Sequence, residues 1–229
     1  RSSDLQTYRG AAVMRYVRLG TLFPDKIRLS LPYNYADVVS VNSVGGGSPA
    51  GYWYQAGFRQ NDPGRVLGST THQPRAFDQW AAFYDNFYVV ATHVKAYLNN
   101  TDASNDAAGI LALYQSRLGT AEILGTSQYY DNLERMRDPD LNCRFKHFNS
   151  MGGGSSQWTM VHAKWYTRHG YTDTDLAELA GTPVLEPTIV REFHVFIRCP
   201  QAGSTKAFLL ELKISYDMIW YTPKNIIGS

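Results

Sequence analysis

The sequence predicts an all-β fold: about eight antiparallel strands in a sandwich or jelly roll, with a few short helices in long loops. Two observations carry this. Apolar residues fall at alternate positions in Leu210, Leu212, Ile214, Tyr216, Met218 and Trp220, with Glu211, Lys213, Ser215 and Asp217 between them. That is the pattern of a long half-buried strand. Helical signals, in contrast, are too brief to cover a parallel sheet.

The strands are taken in chain order. The first spans Lys26–Leu31 with a continuation near Val38–Val44. Next come Tyr52–Phe58, Phe87–Leu98, Gly109–Ser116, Cys143–Phe148 and Trp158–Tyr166. Phe193, Val195, Ile197 and Cys199 alternate with Glu192, His194 and Arg198, and the last strand closes at Pro223. Pro200-Gln201-Ala202-Gly203-Ser204 separates these final strands, which predicts a hairpin. Short helices are expected at Asp78–Asp85, at Gln128–Arg135 and at Asp173–Ala180, the last capped by Thr172 or Asp173. Gly45–Gly47 and Gly152–Gly154 are read as loops, since neither has the Lys-Ser/Thr signature of a phosphate cradle. Without a repeat or a boundary signal, the 229 residues are expected to form one domain, with residues 1–24 as a basic N-terminal segment.

Composition narrows the function. A net charge of +2 does not make the whole chain a polycation, but Arg1, Arg9, Arg15, Arg18, Lys26 and Arg28 crowd its start. Together with the missing initiator Met, this leads us to expect a more basic segment upstream. Cys143 and Cys199 form no disulfide framework and suit a reducing compartment. There is no apolar run of membrane-spanning length, so no membrane partner is expected. Aromatic residues at 14% favour strands and contact surfaces.

Catalytic chemistry finds little footing. The histidines lack HExxH spacing and the cysteines lack CxxC pairing, so no metal, cofactor or catalytic residue is nominated. His93, His147, His162 and His194 fall inside strands and are expected to be hydrogen-bonded there. Scattered acidic residues leave a β-sandwich glycosidase open, and exposed aromatic rings leave a carbohydrate-binding lectin-like module open.

Nucleic-acid binding has more support. Basic residues interleave with aromatic ones at Tyr8-Arg9, Arg15-Tyr16 and Arg18, and recur at Lys26, Arg28, Lys95, Arg144, Lys146 and Lys164. Such residues neutralise phosphates and stack on unpaired bases. For any one of them a solvated strand face is the simpler account. The cluster of Arg1, Arg9, Arg15, Tyr16, Arg18, Lys26 and Arg28 carries the group reading.

One stretch is more specific. Tyr52–Gln60 is followed by Asn61-Asp62-Pro63, then His72-Gln73-Pro74, then Phe77-Asp78-Gln79-Trp80-Ala81-Ala82-Phe83-Tyr84-Asp85-Asn86-Phe87-Tyr88-Val89-Val90. This order resembles the capsid proteins of circovirus-like (circular Rep-encoding single-stranded DNA, CRESS) viruses, as does the ending Tyr221-Thr222-Pro223-Lys224. The resemblance implies an eight-stranded antiparallel jelly-roll sandwich that self-assembles into a virion shell of about sixty copies (T=1). It also implies a circular single-stranded DNA genome as partner, an Arg-rich arm that binds it, and a host nucleus as the place of assembly. Only the last residues of such an arm are expected in this sequence. Loops carrying Tyr52, Trp53, Trp80, Phe83 and Tyr84 are expected to supply contacts between copies.

Overall fold

The last strand forms the centre of the molecule. In the computed structural model, which describes residues 23–43, 52–100, 107–115, 136–137, 142–150, 158–167, 176–199 and 206–224, β8 (Lys206–Pro223) pairs antiparallel on both flanks. β1 (Lys26–Ser43) lies along one side of it and β3 (Tyr84–Asn100) along the other. β6 (Thr159–Tyr166) extends this sheet beyond β3. A second sheet runs β2 (Tyr52–Arg59), β7 (Glu192–Cys199), β4 (Ala107–Gln115) and β5 (Arg144–Ser150). Among the described residues the sheets join where Asn42 and Ser43 pair with Trp53 and Tyr52, giving the order β5-β4-β7-β2-β1-β8-β3-β6. Two four-stranded antiparallel sheets threaded in this order are a jelly roll.

Alternation built this arrangement. Along β8 the even-numbered residues from Phe208 to Trp220 are buried and the odd-numbered ones are more exposed. Their rings meet those of the second sheet in a common core. Phe193 stacks on Phe58 and on Trp165 with centroids 5.4 Å apart in each case. Each fully buried ring contributes roughly 2–3 kcal/mol of hydrophobic stabilisation. β1 is one continuous strand although Pro32 lies within it. Proline lacks the amide donor, but among the described residues β2 meets β1 at Asn42 and Ser43, and no strand pairs with the flank of Pro32 away from β8.

Two expectations are corrected. β7 and β8 do not form a hairpin: they do not pair with each other and belong to different sheets. β8 finds long continuous partners in β1 and β3, while β7 fills the place between β2 and β4. The helix expected over Asp78–Asp85 is shorter, α1 (Phe77–Ala81). It stops because the sheet claims the next residues: Tyr84 pairs with Pro223, and the Lys224 amide donates to the Phe83 carbonyl at 2.8 Å. α2 (Leu176–Leu179) falls inside the third helix expected, whose caps Thr172 and Asp173 lie outside the described residues. The Gln128–Arg135 helix and both glycine runs lie outside them as well.

The Asn61-Asp62-Pro63 sequence begins a buried corner. Asn61 is fully buried, and its side-chain amide donates to the carbonyl of Ile189 at 2.8 Å and that of Leu179 at 3.4 Å. Its Oδ1 accepts the Arg191 amide at 2.8 Å. One side chain thus ties the end of β2 to α2 and to the entry of β7. Beside it, Thr92 donates to the Gln60 carbonyl at 2.7 Å, and Tyr216 donates to the Arg59 carbonyl at 2.8 Å. Polar groups buried this deeply persist because they are paired.

Candidate nucleic-acid interface

The outward face of the first sheet gathers positive charge. Strand parity places Lys213 on β8, His93 and Lys95 on β3, and His162 and Lys164 on β6 on this face, all exposed or nearly so. Register then sets them side by side. Lys95 pairs with Lys213 on one flank and with His162 on the other. In the adjoining row His93 lies between Ser215 and Lys164. Like charges placed directly opposite one another on a sheet repel and cost stability. A row that keeps them is suited to an anionic ligand.

Aromatic rings flank these cations. Lys164 Nζ sits 4.8 Å from the centre of the Tyr166 ring, and Lys213 Nζ sits 5.2 Å from that of Tyr97. Trp158 meets Tyr97 edge-on at 6.5 Å. Cation–π contact offsets part of the repulsion. Trp158 and Tyr166 remain 44% and 52% exposed, leaving ring surface for stacking. Burial, and then the nearby Lys164 charge, holds the His93 pKa below its usual value. His93 is therefore neutral at pH 7 and serves as a donor or acceptor rather than a charge. The acidic neighbours of the band on β8 are Glu211, paired across from Tyr97, and Asp217, which is bound to Arg28 and opposes the lowering of the His93 pKa.

The residues expected from sequence divide. Arg1, Arg9, Arg15, Tyr16 and Arg18 lie outside the described residues. Lys26 and Arg28 lie on this same face at the β1 end. Arg28 is committed, its Nε donating to Asp217 Oδ1 at 3.0 Å within a paired ion bridge. Lys95 and Lys164 meet in the band, whereas Arg144 and Lys146 lie on β5 at the edge of the other sheet. Lys213, His93 and His162 were missed as members. Their alternation showed which face they occupy, but only register shows that they are neighbours.

The residues expected to contact other copies are also dispersed. The Tyr52 side chain lies outside the described part of the structure. Trp53 is half-buried against a second apolar cluster with Ile110, Tyr114 and Phe196, on the outer side of the second sheet. Trp80 and Phe83 are half-buried against the main core. Tyr84 is fully buried and its hydroxyl donates to the Pro24 carbonyl at 3.0 Å, so it braces the corner from within.

The strand histidines do not behave alike. His93, His147 and His162 are exposed. His194 is buried, stacked on Tyr114 at 5.0 Å, and neither ring nitrogen has a hydrogen-bond partner among the described residues. This corrects the expectation of a hydrogen-bonded strand histidine. Burial lowers the His194 pKa, opposed by Glu192, whose Oε2 lies 3.9 Å from Nε2. The unfolded chain therefore binds this proton more readily than the folded one, and stability falls as pH drops from about 6.5. Thermal melts at pH 7 and pH 5 should show the loss. His194→Phe keeps the ring stack, costs under about 1.5 kcal/mol at pH 7 and flattens this part of the pH dependence. No group of three or more His, Cys, Asp or Glu side chains is placed to hold a metal ion among the described residues. Both cysteines are free thiols, each pushed by burial to a pKa of about 12.

No protein-family profile matches the chain, and no curated protein matches it by sequence. Among solved structures it is similar to that of the 60-mer BFDV capsid protein, at 11% identity and a TM-score of 0.44, over 90% of this chain and 100% of that one. It is also similar to the mud crab tombus-like virus structure, at 12% identity and a TM-score of 0.43, over 98% and 95% of the respective chains. A third likeness, to Desmodium yellow mottle tymovirus, has 9% identity and a TM-score of 0.41, with both chains fully covered. The jelly roll itself is defined by the strand order, not by these likenesses.

Proposed function

We propose that the chain is a capsid subunit that assembles with copies of itself into a closed icosahedral shell and binds single-stranded DNA. The observation that carries the reading is one sheet face of a jelly roll on which register gathers Lys95, Lys164 and Lys213, with the rings of Tyr97 and Tyr166 against two of them. A single strand offers both ligands that such a face suits, phosphates for the lysines and unpaired bases for the rings. A neutral sugar would use the rings and leave the lysine row uncompensated. The Asn61–Tyr88 stretch supports the capsid reading through its resemblance to circovirus-like capsid proteins. Its buried ties make it a rigid internal corner, as a subunit repeated many times requires.

In this reading the lysine band faces the interior of a shell of about sixty copies (T=1), and an Arg-rich arm joins it there with Arg1, Arg9, Arg15, Tyr16 and Arg18 as its last residues. The genome is circular, and assembly takes place in the host nucleus. Contacts between copies fall to Tyr52, Trp53, Trp80 and Phe83. To these we add Val184 and Leu185, which are 77% and 67% exposed. They sit on a turn fixed by the Leu185 amide donating to Thr182 Oγ1 at 2.8 Å and by Arg65 donating to the Val184 carbonyl. Exposed apolar side chains on a fixed turn fit a protein contact.

Negative-stain microscopy and size-exclusion chromatography of the purified chain test the assembly. Closed particles of roughly 20 nm are expected from a small symmetric shell. A monomer that persists at high protein concentration would overturn the shell. Particles whose formation ignores Val184→Asp with Leu185→Asp would move the contacts elsewhere.

A further inference from the structure

We propose that a cavity on the same face receives one base of the bound strand, with Lys26 meeting the adjoining phosphate. This deepens the nucleic-acid reading and rests on it. The cavity holds about 310 Å³ and is lined by Lys26, Tyr88, Ile219 and Tyr221 from the sheet and by Ala177 and Ala180 from α2 and its end. Register explains the lining: Lys26 pairs with Tyr221, and the next outward row sets Arg28 beside Ile219 and Tyr88. Two phenol rings, an isoleucine and two alanine methyls make walls for a flat, weakly polar body. One ammonium group at such a site calls for an anion attached to that body. A nucleotide has both parts. The volume lies at the lower end of small-ligand sites, which suits one base and excludes a folded segment.

The cavity is formed in advance. Its outer wall, α2, is held by the Ile189 amide donating to the Glu178 carbonyl at 2.9 Å and by Asn61 donating to the Leu179 carbonyl. The chain beyond it is fastened to β3 by reciprocal backbone bonds between Gly181 and Phe87, at 2.9 and 3.0 Å. Gly181 is needed for this approach, since a Cβ there would lie 2.7 Å from the Phe87 ring. A wall fixed before binding spares the ligand the cost of ordering it. The cavity also shares the outward face of the first sheet with the lysine band. From Ile219 to Ser215, where the His93 and Lys164 row begins, β8 advances roughly 13 Å at the rise of an antiparallel strand. Arg28 lies between the two regions but is occupied by Asp217, so Lys26 is the cation that serves the cavity.

Fluorescence anisotropy with the full chain tests this, using a short oligothymidylate and an abasic backbone of the same length. The wild type should prefer the oligothymidylate by about tenfold, the scale of base–aromatic stacking. Ala177→Trp fills the cavity from an exposed helix position and should lower that preference, leaving only the share due to stacking on Trp158 and Tyr166, with the salt slope unchanged. Should Ala177→Trp melt well below the wild type, Tyr221→Leu removes a wall instead, with the same loss expected. A folded variant of either kind that keeps the full preference overturns the inference alone. Binding of neither oligomer by the wild type overturns the nucleic-acid reading of the face, and this inference with it.

Discussion

Asn61→Ala is expected to destabilise the subunit by about 3–4 kcal/mol, lowering its melting temperature by roughly 6–15 °C for a chain of this size. The side chain is small and its apolar contribution slight, so the effect is polar. Removing it strands the Arg191 amide and the Ile189 carbonyl, both bonded to Asn61 at 2.8 Å, and frees the Leu179 carbonyl at 3.4 Å. A buried group left without its partner loses about 1–3 kcal/mol of solvation without recompense. Differential scanning fluorimetry measures the loss, and amide hydrogen exchange should locate it at Arg191 and around α2. A melting temperature unchanged within two or three degrees would mean that water replaces Asn61 there and that the corner is not a tie. The variant also tests the fixed cavity wall, since α2 hangs from the same side chain.

The triple variant Lys95→Ala, Lys164→Ala, Lys213→Ala separates binding from folding. Each lysine that neutralises one phosphate of a single strand contributes about 0.7 to the slope of log affinity against log salt, so the slope should fall by about 2. At 0.1 M salt this amounts to roughly a hundredfold weaker binding. Stability should change little. These side chains are exposed, and removing the direct Lys95–Lys213 opposition offsets the lost contacts with Tyr97 and Tyr166. Filter binding or anisotropy over a salt series reads the slope, and a melt checks the fold. A slope equal to that of the wild type would remove the band from any role with phosphate. The lysine-to-arginine triple should retain the slope, because the charge is kept.

Most of the fold was legible because alternation is a local signal. Each expected strand is present with ends shifted by a few residues, from Lys26–Ser43 to Lys206–Pro223. The corner was legible as an unusual run of residues, but not as a tie, because the partners of Asn61 lie at Leu179, Ile189 and Arg191, far along the chain. The hairpin expectation failed for the same reason. Proximity in sequence favoured pairing β7 with β8, whereas each strand made its contacts with partners distant in sequence. Tyr84 illustrates a further limit. Its place in an aromatic run suggested a contact surface, yet the depth of the core decides whether a ring faces outward or inward.

By itself the sequence determined which segments are strands and, through parity, which side chains share a face of each strand. A period of two needs no knowledge of the partner. Only the tertiary structure decided which strands are neighbours and in what register, and hence that Lys95, Lys213 and His162 form one row while Arg144 and Lys146 lie apart on the other sheet. Register arises from the joint burial of both sheets, a sum over the whole core that no single segment carries. The charge needed for a polyanion was present in the sequence. Its assembly into a surface was settled by the pairing of strands.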